Sequence, residues 1–267
     1  MLNPNAQAIR LEDYAPPPFL ITTVDLNIDI GADTTEVSAR LAVSRNPDSP
    51  ERDAALLLNG NQVELLYVAV DQRELGSSEY TITPEHLKIS NVPDAFVLET
   101  RVKIDPETNT QLEGLYASKD GYFTQCEAEG FRRITFFPDR PDVMAKYTTT
   151  ISADRERFPL LLSNGNLEEQ GDLDNGRHWA RWIDPFPKPS YLFAMVAARL
   201  DKLENTFTTA SGREVQLLVF VEPGKLDQCG FAMEALKSAM RWDEEVFGLE
   251  LDLDQYMIVA VGDFNMG

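Results

Sequence analysis

Val24-Asp25-Leu26-Asn27-Ile28-Asp29-Ile30 alternates apolar and polar side chains with a period of two. That is the pattern of a strand with one face in a core and the other in water. Gly31-Ala32-Asp33 then turns the chain into a second alternating run, Val37, Ala39, Leu41 and Val43, which predicts an antiparallel hairpin. Working outward, further strands are predicted at 55–58, 63–70, 80–82, 87–89, 96–104, 122–126, 147–153, 160–163, 177–183 and 191–198. Asn59-Gly60, Asn164-Gly165 and Asn175-Gly176 supply turn chemistry between several of them, and no long helical period occurs before about residue 200. The expected class is mainly β, with an N-terminal β-sandwich or saddle-like domain over residues 1–199.

The character changes after Leu200. A strand at 215–221, a helix over about 227–247 and a strand at 256–261 are predicted. Ala232, Ala235, Leu236, Ala239, Trp242 and Val246 form the helix's apolar face, and Asp227 its N-cap. One helix and two strands do not close a core, so residues 200–267 read as the start of an α+β domain that further chain completes. The 267 residues then read as a fragment of a longer protein.

Composition narrows the function classes. With 43% hydrophobic residues the chain has a sizeable core to bury, which excludes intrinsic disorder. The 44 acidic and 24 basic side chains give a formal charge of −20, which argues against nucleic acid and anionic lipid as partners. The longest apolar run, Tyr191 to Ala198, is far short of the roughly 20 residues of a membrane span. Cys126 and Cys229 sit in unlike surroundings and read as free thiols. The first ten residues lack a secretory signal, so cytoplasm is the expected compartment.

The usual catalytic signals are missing. Gly-x-Ser-x-Gly, phosphate-binding and dinucleotide glycine patterns do not occur. The two histidines, His86 and His178, are far apart and neither has a second histidine at helical spacing, so no His-Glu-x-x-His zinc helix can form. A cysteine–histidine pair using Cys126 would lack an oxyanion-hole motif. What stands out is Thr124-Gln125-Cys126-Glu127-Ala128-Glu129-Gly130-Phe131-Arg132-Arg133, followed by Phe136-Phe137-Pro138-Asp139-Arg140-Pro141-Asp142. A strand tip with Gln125 and Glu127 on one face would offer an amide and a carboxylate to a protonated amine. A solvated loop closed by Glu–Arg pairs is the plainer alternative.

Together with Leu161-Leu162-Ser163-Asn164-Gly165-Asn166, Asn175-Gly176-Arg177-His178-Trp179, Asp184-Pro185-Phe186-Pro187-Lys188-Pro189, Met240-Arg241-Trp242-Asp243-Glu244-Glu245 and Phe264-Asn265-Met266-Gly267, these blocks carry a resemblance. The whole chain resembles the N-terminal portion of the zinc-dependent aminopeptidase N family of gluzincin metallopeptidases, bacterial alanyl aminopeptidases above all. The resemblance implies a β-rich N-terminal domain over 1–199 and, over 200–267, the beginning of a thermolysin-like catalytic domain truncated before the zinc motif. It implies a metalloprotease of peptide catabolism that acts on peptides through their free N-terminus. Glu127 would pair with the substrate α-ammonium, Gln125 would line the pocket for the first side chain, and Met266 would cushion it. Gly267 would begin the Gly-Ala-Met-Glu-Asn motif and bring its backbone close to the substrate. No catalytic residue and no metal ligand fall within the chain, so zinc is expected in the intact parent and neither zinc nor hydrolysis in the fragment. The contrasting expectation is a free-standing β-sandwich module that binds peptide or carbohydrate without chemistry.

Overall fold

A computed structural model of the protein describes residues 10–119, 121–262 and 264. Its strands are β1 (Phe19–Ile30), β2 (Thr35–Arg45), β3 (Leu56–Asn59), β4 (Glu64–Val70), β5 (Arg73–Glu74) and β6 (Tyr80–Ile82). Next come β7 (His86–Ile89), β8 (Ala95–Ile104), β9 (Gly114–Ser118), β10 (Gly121–Gln125) and β11 (Met144–Asp154). β12 (Leu160–Ser163), β13 (Asn166–Asp172), β14 (Arg177–Pro189) and β15 (Met195–Ala198) follow. The last portion holds β16 (Asp201–Thr208), β17 (Glu214–Val221), the helix α1 (Gly230–Phe247) and β18 (Gln255–Ala260).

The expected hairpin is present: β1 and β2 pair antiparallel, closed by the Gly31 amide donating to the Thr34 carbonyl at 2.9 Å. They lie inside an eight-stranded sheet of order β13-β14-β11-β1-β2-β8-β4-β5. Apolar residues of β1, β2, β8 and β11 point to one side, where a four-stranded sheet (β12-β15-β10-β9) and a three-stranded sheet (β3-β7-β6) help to enclose the core. Val24, Leu26, Ile28 and Ile30 are all within that core, while Asp25, Asn27 and Asp29 face water. At Asn175-Gly176 both residues have positive φ, 59° and 74°, as a tight turn into β14 requires. Gly165 serves differently. With φ of 88° it lies so close to Ile183 that an added Cβ would sit 2.1 Å from that carbonyl oxygen.

The fourth sheet, β16-β17-β18, carries the last portion. β17 is buried on both faces. Leu218 and Phe220 join the main core, while Val215, Leu217, Val219 and Val221 meet Met233, Leu236 and Met240 of α1 in a second cluster. Two expectations for the helix are corrected here. Its buried face shares only Leu236 with the expected set, and Trp242 and Val246 are more than half exposed, because the side facing β17 is set by the longer Met side chains. Asp227 is not the N-cap. It belongs to a short 3-10 turn, Leu226–Gln228, and Cys229 holds the cap position without a side-chain hydrogen bond. Among the described residues no helix is long and apolar enough to cross a membrane.

Adjacent positions of β1 are expected to respond oppositely to truncation. Ile28→Ala should cost roughly 2–5 kcal/mol of stability in urea unfolding, and Asn27→Ala less than about 0.5 kcal/mol.

Candidate functional site

β10 ends at Gln125, so the period-two relation does not extend to Glu127. Gln125 is turned inward and buried, and its side-chain amide donates to the Glu127 main-chain carbonyl at 3.1 Å. Glu127, Ala128 and Glu129 project into water, and the Glu127–Ala128 peptide is cis. Upstream, the Met195 amide donates to the Thr124 hydroxyl at 2.8 Å, fixing the strand from which the loop springs.

The far side of the loop is sunk in the core. Phe131 is fully buried, with ring centroids 5.0 Å from Phe137, 5.2 Å from Phe193 and 6.1 Å from Tyr147. The Gly130 amide donates to the Cys126 carbonyl at 2.8 Å. An added Cβ on Gly130 would lie 2.4 Å from the Gln125 carbonyl oxygen and 2.8 Å from the Gly114 nitrogen, so only glycine allows the backbones to cross there.

Arg132 then ties the loop to the following segment. Its Nε donates to Asp139 at 3.1 Å, and a terminal nitrogen pairs with Glu129 at 3.2 Å. Asp139 is buried and also accepts from the Ser190 hydroxyl at 2.6 Å, while its own amide donates to the Asn59 side chain at 3.2 Å. The Glu–Arg closure expected of a plain loop is therefore present in the same loop that presents Glu127. Arg132, Asp139, Ser190 and Gly130 were not singled out as site residues. Glycine inside Glu129-Gly130-Phe131 and the Pro138-Asp139-Arg140-Pro141 turn were the available signals.

Burial pushes the Cys126 thiol well above its ordinary value, with Asp139 adding to the effect, so it is not a nucleophile. Burial likewise raises Tyr147, whose hydroxyl has no partner among the described residues. Lys188, stacked 4.6 Å from the centre of the Tyr147 ring, is lowered by burial against the opposing pull of its partner Asp184. The described residues do not fit a zinc site: no group of three or more His, Cys, Asp or Glu is placed to hold a metal ion. His178 is buried and its Nε2 donates to the Phe158 carbonyl at 2.7 Å, while His86 lies on β7 of another sheet. Met266 and Gly267 lie outside the described residues.

The fold and its loop define a mainly β domain that presents one exposed acidic segment from a packed core. The family model described as the Peptidase M1 N-terminal domain matches residues 21–192, and the chain belongs to that family. It is 54% identical to Aminopeptidase N of Caulobacter vibrioides over 98% of its own length and 30% of that protein's. Its fold matches the Legionella pneumophila aminopeptidase A solved with aspartic acid at a TM-score of 0.92 and 39% identity, over 97% of this chain and 30% of that one. The M1 zinc metallopeptidase of Deinococcus radiodurans bound to a Tyr-Ser-Ala substrate shares the fold at a TM-score of 0.74 and 13% identity, over 92% and 57%. The chain thus spans about 30% of the length of the curated relatives it matches.

Two outcomes are expected at this site. Asp139→Ala, which leaves the Ser190 hydroxyl without its acceptor and Arg132 with Glu129 alone, should cost roughly 1–3 kcal/mol in urea unfolding, more than the double replacement Arg132→Met with Asp139→Leu. Asp142 is held below the usual carboxylate range by its hydrogen bond to Arg140, with burial opposing. A lowered folded value stabilises the fold above the unfolded value of about 3.9 and loses that contribution as pH falls through the folded value. Acid unfolding of Asp142→Asn should therefore depend less steeply on pH in that range than that of the unsubstituted chain.

Proposed function

We propose that this chain is the N-terminal part of a zinc aminopeptidase that removes single residues from the N-terminus of peptides. Its contribution is the anchor for the substrate's α-ammonium group. The observation that carries this reading is the placement of Glu127: an exposed carboxylate on a loop whose neighbours Gln125, Cys126, Gly130 and Phe131 are buried. Such a carboxylate meets an ammonium group without reorganising the chain that bears it, which favours tight charge-assisted pairing. By resemblance, Gln125, Met266 and Gly267 are assigned to the pocket of the first side chain.

Residues 1–199 form the N-terminal β domain in this reading, and residues 200–267 begin a thermolysin-like catalytic domain. The two-faced packing of β17 supports a second layer that starts there. Zinc is assigned to the intact parent and its ligands to the remainder of the catalytic domain, as the Deinococcus zinc enzyme suggests by analogy. The 267 residues alone are inactive, and the cytoplasm is their compartment, consistent with two free buried cysteines. Kinship with catalytic relatives favours this reading over a peptide- or carbohydrate-binding module.

In the zinc-loaded full-length protein, Glu127→Gln should lower kcat/KM for an aminoacyl anilide by roughly ten- to a hundredfold, the value of a hydrogen bond to a charged group. The N-acetylated substrate should resist both forms, and the 267-residue chain should turn over neither. Unchanged kcat/KM in the variant, or turnover by the chain alone, would overturn the reading.

A further inference from the structure

The water-facing side of the eight-stranded sheet holds a depression that the peptidase reading does not use. The pairing registers of five successive strand pairs line up Arg181, Thr150, Asn27, Ser38, Arg101 and Tyr67 in one row across β14, β11, β1, β2, β8 and β4. The three central residues are short and the ends are long, so the row is low in the middle and walled at both ends. Four strand spacings separate the Arg181 and Arg101 backbones, about 19 Å. The resulting cavity has a volume of about 540 Å³, within the roughly 300–1,000 Å³ of small-molecule sites.

Its charge is unusual for this chain. Three guanidinium groups, from Arg40, Arg101 and Arg181, line a cavity in a protein of net charge −20. Two are already paired: Arg40 lies 3.5 Å from Glu99, which also lines the cavity, and Arg181 is 2.9 Å from Glu168. The Arg101 side chain has no ion pair or hydrogen bond among the described residues. The remaining carboxyl, Asp25, faces water in the neighbouring row opposite Arg40, and desolvation raises it against the pull of Arg181 and Arg40.

We propose that this depression binds a small ligand carrying an oxyanion, a carboxylate or a phosphate, on a hydrogen-bonding body. Arg101 is the anion-binding group, and Asn27, Ser38 and Thr150 form the polar floor that receives the body. Guanidinium suits either oxyanion because its planar fork matches two oxygens at once. The site is separate from the Glu127 loop, so it stands whether or not the aminopeptidase reading holds.

The test is amide NMR of the 267-residue chain, titrated with inorganic phosphate and separately with succinate, at ionic strength held constant with sodium chloride. The expected result is a saturable shift of the Asn27, Ser38 and Thr150 amides at millimolar ligand. Arg101→Ala should weaken it roughly tenfold or more and Arg101→Lys less, since lysine keeps the charge but not the fork. Saturation by phosphate alone, or by succinate alone, identifies the source of the oxyanion. Shifts that stay linear with both probes, or equal affinity in Arg101→Ala, would overturn the proposal.

Discussion

Seven residues of β1, Thr23 to Asp29, lie in parallel register with β11, from Lys146 to Ser152. Parallel neighbours cannot be joined by a hairpin, so the chain leaving Ile30 must travel to the other end of the sheet before β11 can begin. That excursion builds most of the molecule. On its way it lays β2, β8, β4 and β5 along one side of β1 and folds β3, β7 and β6 into a separate small sheet. It finishes with β9, β10 and the loop that carries Glu127, which therefore returns close to the start of β11. The placement of that loop is a consequence of sheet topology before any of its own contacts are made.

Those contacts then decide how still it is. Phe131 supplies apolar burial, and the Arg132–Asp139 pair supplies direction. A buried ion pair adds little net stability, because the cost of removing both charges from water offsets their attraction, yet losing one partner is severe. Asp139 reduces that cost by accepting from Ser190 and from Arg132 together. Glu127 is left free of this network, in water, which is where a carboxylate must be if it is to exchange hydration for an incoming ammonium group.

Legibility in the sequence follows the same physics. β1, β2, β8 and β11 each bury one face, so their period of two was visible at once. β13 and β16 were missed because they are edge strands with mostly exposed side chains, and pairing with β14 and β17 rather than side-chain pattern makes them strands. β9 was missed because Gly114-Leu115-Tyr116 is buried without alternation. The helix was found but its buried face was not, since alanines at the right spacing compete with longer methionines and the neighbouring sheet decides between them. In the loop, the roles given to Gln125 and Glu127 come from resemblance, not from a pattern of the sequence. The Arg132–Asp139 pair, seven residues apart across a turn, follows no period that a sequence displays.

β17 joins these parts. A strand buried on both faces reads as a continuous apolar run, and 215–221 does so apart from Gln216. Its Leu218 and Phe220 belong to the same core as Phe131 and Phe193, which hold the acidic loop. Its other face holds α1 through Met233, Leu236 and Met240. Close-packed interiors transmit displacement rather than absorb it, so the loop and the last layer are set by one body of side chains. Under the proposed aminopeptidase reading, that constraint is what the chemistry requires. The distance between the group that holds the amino terminus and the chemistry one bond away must be kept to a fraction of an ångström, and a misplacement of about 1 Å costs on the order of a hundredfold in rate. A shared core between the loop and the layer built on β17 and β18 is the economical way for one chain to hold it.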